Sequence, residues 1–524
     1  AWTIVGADFV TTTDGTGVVH TAVMYGEDDY NLGMEKGFPA QHTVGMDGKF
    51  ISGVHQELDG KYVKDCDSAI IDLLVADNLL YREQIYTHDY PHCWRTDHPL
   101  LYYAMDSWFV KMTAVKERIL ELNDKVEWAP EWVGTGRFGE WLRNIKDWAI
   151  SRERYWGTPL PVWICPDCNK EHCVGSIQEM LDMKTDDSPT PQELHRPYVD
   201  EVKLNCPNEG CSGEMIREPY VMDCWFDSGC ASFAQWHYPF ENEDKFTNSF
   251  PVDYICEGVD QTRGWFYSQL AVSTTVFDDL AYKRCLSLGL LMDKEGKKMS
   301  KSRGNTVDPW DHFNREGADA VRWYMMTQSA PWSPTNFDSN GVRESYAKMF
   351  LTLWNVHRFH SEYAALDGFD PDNENGYIPI AERSPLDRWI LSKLHSVAQN
   401  YHDQFVSWDF HKAGRDLESF VVNDLSNWYV RRSRRRLWDE ADSLDKRSCQ
   451  HTLHEVLLSV CKLMAPVAPF MPDQIHRDLT GTSVHLADWP VGSKLVDSNL
   501  PPLDWVLEQE MALVRTLAET GRRV

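Results

Sequence analysis

The chain holds 524 residues, 42% of them hydrophobic, with 22 Trp and 13 Cys. That length exceeds what one core supports and requires several domains. A net charge of −28 argues against a surface that is basic throughout, the odd, scattered cysteines argue for a reducing compartment, and no apolar run approaches the ~20 residues of a membrane helix.

The chain opens Ala1-Trp2-Thr3-Ile4-Val5, which reads as a strand already under way; with no initiator Met and no signal peptide, it reads as the interior of a longer protein. Residues 1 to about 90 read as strand-rich, with turns at Asp14-Gly15, Asp47-Gly48 and Asp59-Gly60. Here His20 precedes the acidic turn Glu27-Asp28-Asp29, on sequence alone an ordinary His–carboxylate pairing. Residues 91–155 mix strand and helix and are rich in Trp; Cys93, in Pro91-His92-Cys93-Trp94-Arg95, reads as a core thiol.

Residues 156–220 carry Cys165-Pro166-Asp167-Cys168 and Cys206-Pro207-Asn208-Glu209-Gly210-Cys211 around an acidic, Pro-containing insert. Two such knuckles suit one tetrahedral Zn²⁺ held by four thiolates, a closed and therefore structural site. The longer spacing of the second pair leaves His172 and Cys173 open as substitute ligands.

Residues 221–330 alternate short apolar strands with helices, as in a parallel α/β sheet. Within them, Tyr254 to Gln261 reads as a strand ending in Glu257, Gly258, Asp260 and Gln261, and ligands of open α/β sheets bind at such carboxyl ends. Leu288 to Asp293 reads as a buried strand leading to Lys298-Met299-Ser300-Lys301-Ser302 between Gly296 and Gly304. Two lysines on a loop that can bend at glycines could close over a polyphosphate and neutralise developing charge.

From about residue 340 the pattern is helical. Apolar stripes run through Tyr346, Met349, Phe350, Leu353 and Val356; Ile390, Leu394, Val397 and Tyr401; Phe410, Ala413, Leu417, Phe420 and Leu425; and Leu453, Val456, Leu457 and Val460. Ser384-Pro385 supplies an N-cap and first-turn residue for the second stripe, Pro466 and Pro469 follow the fourth, and the whole suggests a bundle. One basic patch opposes the acidic background: Arg431, Arg432, Arg434, Arg435 and Arg436.

The run KKMSKSRGNTVDPWDHFNREGADAVRWYM resembles the signature region of class I aminoacyl-tRNA synthetases. CEGVDQTRGWFYSQL is similar to the segment with which the isoleucyl members hold the aminoacyl-adenylate. Ile150 to Gly157 and Trp225 to Gly229 resemble the family's ISRxRYWG and WFDSG blocks, and NDLSNWYVRRSRRRLW resembles part of its anticodon-binding domain. Without the family, both of the former would read as packing segments. A zinc ribbon after WGTPLP is also found in the archaeal/eukaryotic-like isoleucyl branch.

The resemblance implies a multidomain α/β protein: the second half of a Rossmann-type catalytic domain, part of a β-rich editing domain, a zinc ribbon insertion and a C-terminal α-helical anticodon-binding bundle. The implied boundaries are 1–90 (editing), 91–155 (return into the catalytic domain), 156–220 (zinc), 221–335 (catalytic half with lysine loop), 336–485 (bundle) and 486–524 (start of a C-terminal region). The implied reaction is ATP-dependent activation of L-isoleucine, with Mg²⁺, and its transfer to tRNA(Ile), in a cytoplasmic monomer with no membrane partner. By resemblance, Lys298 and Lys301 are catalytic and lie with Met299, Ser300 and Ser302 at ATP. Glu257, Gly258, Asp260, Gln261 and Trp265 hold the adenylate. Cys165, Cys168, Cys206 and Cys211 hold zinc, and Arg431, Arg432, Arg434, Arg435 and Arg436 meet tRNA. His20 and Asp29 line a pocket that hydrolyses mischarged valine, needed because a pocket discriminates poorly against one missing methylene, a limit for which this family is itself the standard illustration.

Two other readings stay open: a valyl enzyme, or a zinc-stabilised tRNA-binding fragment without catalysis. The family's His-x-Gly-His block and the Thr-rich half of its editing pocket are not found in the sequence, and Leu288 stands where relatives often have His. The expectation is therefore a fragment inactive on its own.

Overall fold

The computed structural model describes residues 3–13, 15–93, 96–371, 373, 377–490 and 503–523, without the side chains of Ser302, Arg522 and Arg523. Packing divides the chain into two compact units: residues 1–109 with 149–151, and residues 110–148 with 152–524.

The first compact unit extends to residue 109, where residues beyond 90 turn back into it: Ala104 N donates to Met24 O at 2.9 Å and Tyr103 Oη to Val44 O at 3.0 Å. Against the strand-rich expectation, it is poor in strand. Helices α1 (Glu27–Lys36) and α2 (Asp67–Ala76) are its longest regular elements, a 3₁₀ turn spans Val63–Asp65, and much of its pairing is by isolated bridges, among them Val44 with Phe50, Lys49 with Tyr62 and His92 with Pro99. The turns seen in the sequence dominate: Gly48 and Gly60 take φ of +74° and +77°, conformations that end a strand. Cys93 is half-buried rather than a core thiol.

The second unit is built on a three-stranded parallel sheet. Strand β1 (Glu127–Ala129) follows helix α3 (Lys116–Asn123); β2 (Ile255–Gly258) leads through helix α4 (Trp265–Phe277) to β3 (Arg284–Leu288), which lies between the other two. Parallel strands need such a crossover, and both faces of α4 are covered, as its nearly continuous apolar sequence requires. Met112, Ile119, Leu122, Phe138, Phe266 and Leu270 form the core here. The expected strand from Leu288 to Asp293 is interrupted. Gly289 passes so close to Ser333 that an added Cβ would lie 2.4 Å from its carbonyl, and pairing resumes only at β4 (Leu291–Met292) with β5 (Thr335–Asn336).

Residues 162–217 form an antiparallel sheet ordered Glu171–Cys173, Val162–Ile164, Glu214–Arg217, Leu204–Asn205, with its own small core of Trp163, Met180, Val202, Leu204 and Met215.

After the lysine loop come α5 (Pro309–Arg315) and α6 (Ala318–Thr327). Ser339–Ser345, Tyr346–Phe350 and Leu351–Asp367 run on as one helix, α7, with a wider turn in its middle. Next are α8 (Pro385–Val406) and α9, composed of Phe410–Ser419, the wider Phe420–Val430 and Arg431–Trp438. Then follow α10 (Leu444–Met464), α11 (Met471–Thr480) and α12 (Trp505–Arg523).

Nearly all of the four apolar stripes read in the sequence enter one core; Tyr346 packs at its edge. Ser384 caps α8, its Oγ accepting the Asp387 N–H at 3.3 Å, and α10 ends two residues before Pro466. The bundle core also takes in Ala320, Trp323 and Tyr324 of α6. No helix among the described residues is long and apolar enough to cross a membrane.

Candidate functional site

The lysine loop hangs from the sheet. Leu288, the last residue of β3, pairs with Gly258 at the end of β2, and the chain reaches the loop through β4. Met292 bridges back to Lys298, Gly296 turns at φ +77°, and Lys301–Arg303 form a short 3₁₀ turn closed by Gly304 at φ +65°. Lys298 and Lys301 are exposed, whereas Met299 is half-buried against the bundle core. The side chain of Ser302 lies outside the described residues.

At the end of β2, Glu257 and Asp260 are exposed and Gly258 and Gln261 half-buried. Gln261 organises the turn: its Oε1 accepts the Trp265 N–H at 3.0 Å and its Nε2 donates to Asp260 Oδ2 at 3.0 Å. Trp265 Nε1 donates to Ser228 O at 3.0 Å, which joins this turn to the Trp225–Gly229 block. Trp225 overhangs Gly264, where an added Cβ would lie 3.0 Å from its ring. The two blocks named by resemblance are thus not buried packing segments: Tyr155 and Trp156 are exposed, and Asp223 caps the Trp225 helix while pairing with Arg152. Burial pushes the Asp227 carboxyl upward, against the hydrogen bond that Thr158 donates to it at 2.9 Å.

The four cysteines converge. Their sulfurs all lie within 4.8 Å of one another, with Cys165 and Cys211 at 3.7 Å and Cys168 and Cys206 at 3.6 Å. Four sulfurs on ~2.3 Å bonds around one zinc stand about 3.8 Å apart, so the set fits that ion. Close backbone approach makes the second knuckle: Gly213 donates to Cys211 Sγ at 3.4 Å, and a Cβ there would lie 2.8 Å from Cys165 Sγ. His172 and Cys173 do not join: His172 Nε2 sits 3.0 Å from Glu179 Oε1, and Cys173 is exposed.

The arginine run is divided. Arg431, Arg432 and Arg435 line a cavity of about 880 Å³ with Trp428, Asn423 and Arg515, and Arg432 stacks 3.6 Å from the Trp428 ring centre. Arg434 is exposed beside them. Arg436 turns inward instead and makes a two-pronged pair with the fully buried Asp387, at 2.6 and 2.8 Å, and a bond to Asp445 at 2.8 Å. These bonds occupy the Arg436 guanidinium in the bundle core, apart from the cavity that Arg431, Arg432 and Arg435 line.

In the first unit His20 is exposed on the wall of a cavity of about 730 Å³ lined by Ile4, Phe9, Val18, Leu32 and Phe38. Asp29 stands on α1, folded back toward Gly26, and is not part of that wall. The structure therefore does not bring the two together in the cavity lining.

The profile of "tRNA synthetases class I (I, L, M and V)" matches residues 25–338, and "Anticodon-binding domain of tRNA ligase" matches residues 387–524. Isoleucine–tRNA ligase of Clostridium novyi (strain NT) is 46% identical over 529 residues, covering 100% of this chain and 50% of that protein. Isoleucine–tRNA ligase 2 of Bacillus thuringiensis subsp. konkukian (strain 97-27) is 47% identical over 519 residues, covering 99% of this chain and 49% of that protein. The chain spans about half the length of these relatives. The fold resembles methionyl-tRNA synthetase of Mycobacterium tuberculosis in complex with methionyl-adenylate, at TM-score 0.52 and 17% identity over 74% of this chain and 65% of that one. It also resembles LeuRS of Agrobacterium radiobacter in its ternary complex with tRNA and LeuAMS, at TM-score 0.51 and 21% identity over 67% of this chain and 44% of that one. The first profile covers more than half of the chain, and the chain belongs to the class I tRNA synthetases of the isoleucine, leucine, methionine and valine group.

Proposed function

We propose that this chain is part of an isoleucine–tRNA ligase. The observation that carries the reading is the match to isoleucine–tRNA ligases along essentially the whole chain, at 46–47% identity. In the first step the isoleucine carboxylate attacks the α-phosphate of ATP, and the bond to the pyrophosphate leaving group breaks. Lys298 and Lys301, exposed on their loop, neutralise the charge that moves onto that leaving group, aided by the Mg²⁺ that accompanies ATP. Met299, Ser300 and Ser302 complete the loop around the nucleotide. Glu257, Gly258, Asp260, Gln261 and Trp265 hold the aminoacyl-adenylate at the end of β2, where Gly258 allows close backbone approach and the carboxylates suit an ammonium or hydroxyl group. In the second step the isoleucyl group passes from the adenylate to tRNA(Ile), whose phosphates meet Arg431, Arg432, Arg434 and Arg435.

Two further roles belong to the same reading. Cys165, Cys168, Cys206 and Cys211 would hold a zinc ion that closes the ribbon; four thiolates leave no position for catalysis. The first unit, with His20 on its cavity wall and Asp29 on α1, serves hydrolysis of mischarged valine.

Amino-acid-dependent ATP–pyrophosphate exchange by the enzyme that contains this chain tests the reading. The expected result is a kcat/KM for isoleucine far above those for valine and leucine. A preference for valine would assign the chain to a valyl enzyme. No exchange with any of the three would leave a tRNA-binding module and overturn the proposal.

A further inference from the structure

Two polar side chains of the lysine loop take no part in the chemistry above. Asp293 follows β4 and Asn305 follows Gly304, with the whole loop between them. They meet nonetheless: Asn305 Nδ2 donates to Asp293 Oδ2 at 2.7 Å. The other carboxylate oxygen, Oδ1, accepts the Lys297 N–H at 2.7 Å. The other end of the amide, Oδ1 of Asn305, accepts the Ser300 N–H at 2.9 Å, and its Nδ2 also reaches Lys298 O at 3.2 Å. The pair therefore grips the backbone on both sides of Lys298 and one residue before Lys301.

Asp293 is only 9% exposed, in a segment whose lysines all face water. A buried carboxylate is unfavourable unless its oxygens are hydrogen-bonded. Here the Asn305 amide, then the Lys297 N–H, hold its carboxyl below the ordinary range. The glycine turns at 296 and 304 suffice to bend the chain, so bending alone does not require this pair. What the pair adds is fixed position, and catalysis is sensitive to misplacement of about 1 Å.

We propose that Asp293 and Asn305 are positioning residues of the lysine loop, one hydrogen-bonded bracket that sets where Lys298 and Lys301 present their ammonium groups. The proposal rests on the assignment of the loop to pyrophosphate release, made above.

The donors and acceptors permit a sharp test by exchange of the two residues. Asp293→Asn alone places two amides face to face: with Asn305 holding Ser300 N and residue 293 holding Lys297 N, one N–H group meets another. Asn305→Asp alone opposes two carboxylates. The double variant, Asp293→Asn with Asn305→Asp, restores the bond between the side chains and both bonds to Lys297 N and Ser300 N. It forfeits only the 3.2 Å contact with Lys298 O.

Each single variant should lower kcat for isoleucine-dependent pyrophosphate exchange by about tenfold to a hundredfold, the equivalent of one hydrogen bond to a charged group. The KM for isoleucine and the melting temperature should stay at the wild-type values. The double variant should recover most of the rate. In parallel, limited trypsin digestion should cut the single variants faster than wild type at Lys298, Lys301 or Arg303, and the double variant at the wild-type rate. Unchanged exchange and digestion in both single variants would overturn the bracket, as would a double variant no better than the singles. If wild type exchanges with a different amino acid, or with none, while the digestion pattern follows the swap, the isoleucine reading fails and the bracket stands.

Discussion

The cysteine quartet and the arginine run are both clusters visible in the sequence, and the structure treats them differently. The first and last cysteines, Cys165 and Cys211, stand 46 positions apart, yet all four sulfurs meet. The arginines lie within one short stretch, from Arg431 to Arg436, yet they part company. The reason is geometric. Two knuckles, each on its own turn, can bring pairs of sulfurs together from any separation in sequence. Successive residues of a helix point ~100° apart, so a run longer than one turn surrounds the axis and some member must face the core of a packed bundle. Arg436 is that residue, and Asp387 waits for it 49 positions away. A ligand set is defined by what its members bind in common; a charge run has no such constraint, and only the packing around it decides which members are exposed.

Three measurements test this contrast. The largest effect should come from the cysteines. Purified protein should contain one zinc per chain, and Cys206→Ser or Cys211→Ser should abolish its binding. Structural zinc contributes on the order of 10 kcal/mol in small modules, so stripping the ion should unfold the ribbon, seen as rapid proteolysis within residues 160–220. Unchanged zinc content in either variant would remove that cysteine from the set. Next is the buried ion pair. Arg436→Ala should destabilise the bundle by about 3–5 kcal/mol, since it leaves the fully buried Asp387 without its counter-charge, and Asp387→Ala should cost less, since Arg436 keeps Asp445. Arg434→Ala, on the exposed side, should change stability by less than ~0.5 kcal/mol. Equal losses in a denaturation experiment would erase the distinction between the inward and outward arginines. The smallest effect concerns tRNA binding. Replacing Arg431, Arg434 or Arg435 with Ala should each reduce the slope of log affinity against log salt by about 0.7–0.9. A slope unaffected by all three would remove the phosphates from this face.

How much of this was legible beforehand follows the same division. The bundle was, because helical periodicity repeats over many turns: Leu453, Val456, Leu457 and Val460 are all fully buried as their spacing demands. The lysine loop and the end of β2 were, because local motifs carry them. The cysteine cluster was legible in its first pair and open in its second, where spacing alone could not separate Cys206 and Cys211 from His172 and Cys173. What escaped was long-range or negative. Nothing in the turns of the first unit announces that they would outweigh its strands, or that the chain would fold back as far as residue 109. Gly289 gave no sign that a neighbouring backbone would pass within reach of its missing Cβ and interrupt the strand. The partnership of Asp293 with Asn305 spans the loop itself. A signal existed, an isolated acid after an apolar strand and an asparagine after the closing glycine, but only the folded loop shows that they meet.

If the lysine loop acts on developing charge during isoleucine activation, Lys301→Ala in the enzyme containing this chain should remove that action. Pyrophosphate exchange should slow by about a hundredfold to a thousandfold, as for loss of one group aimed at transition-state charge, while the KM for isoleucine changes little. An equal loss in isoleucine affinity and in rate, or no loss in either, would contradict the account.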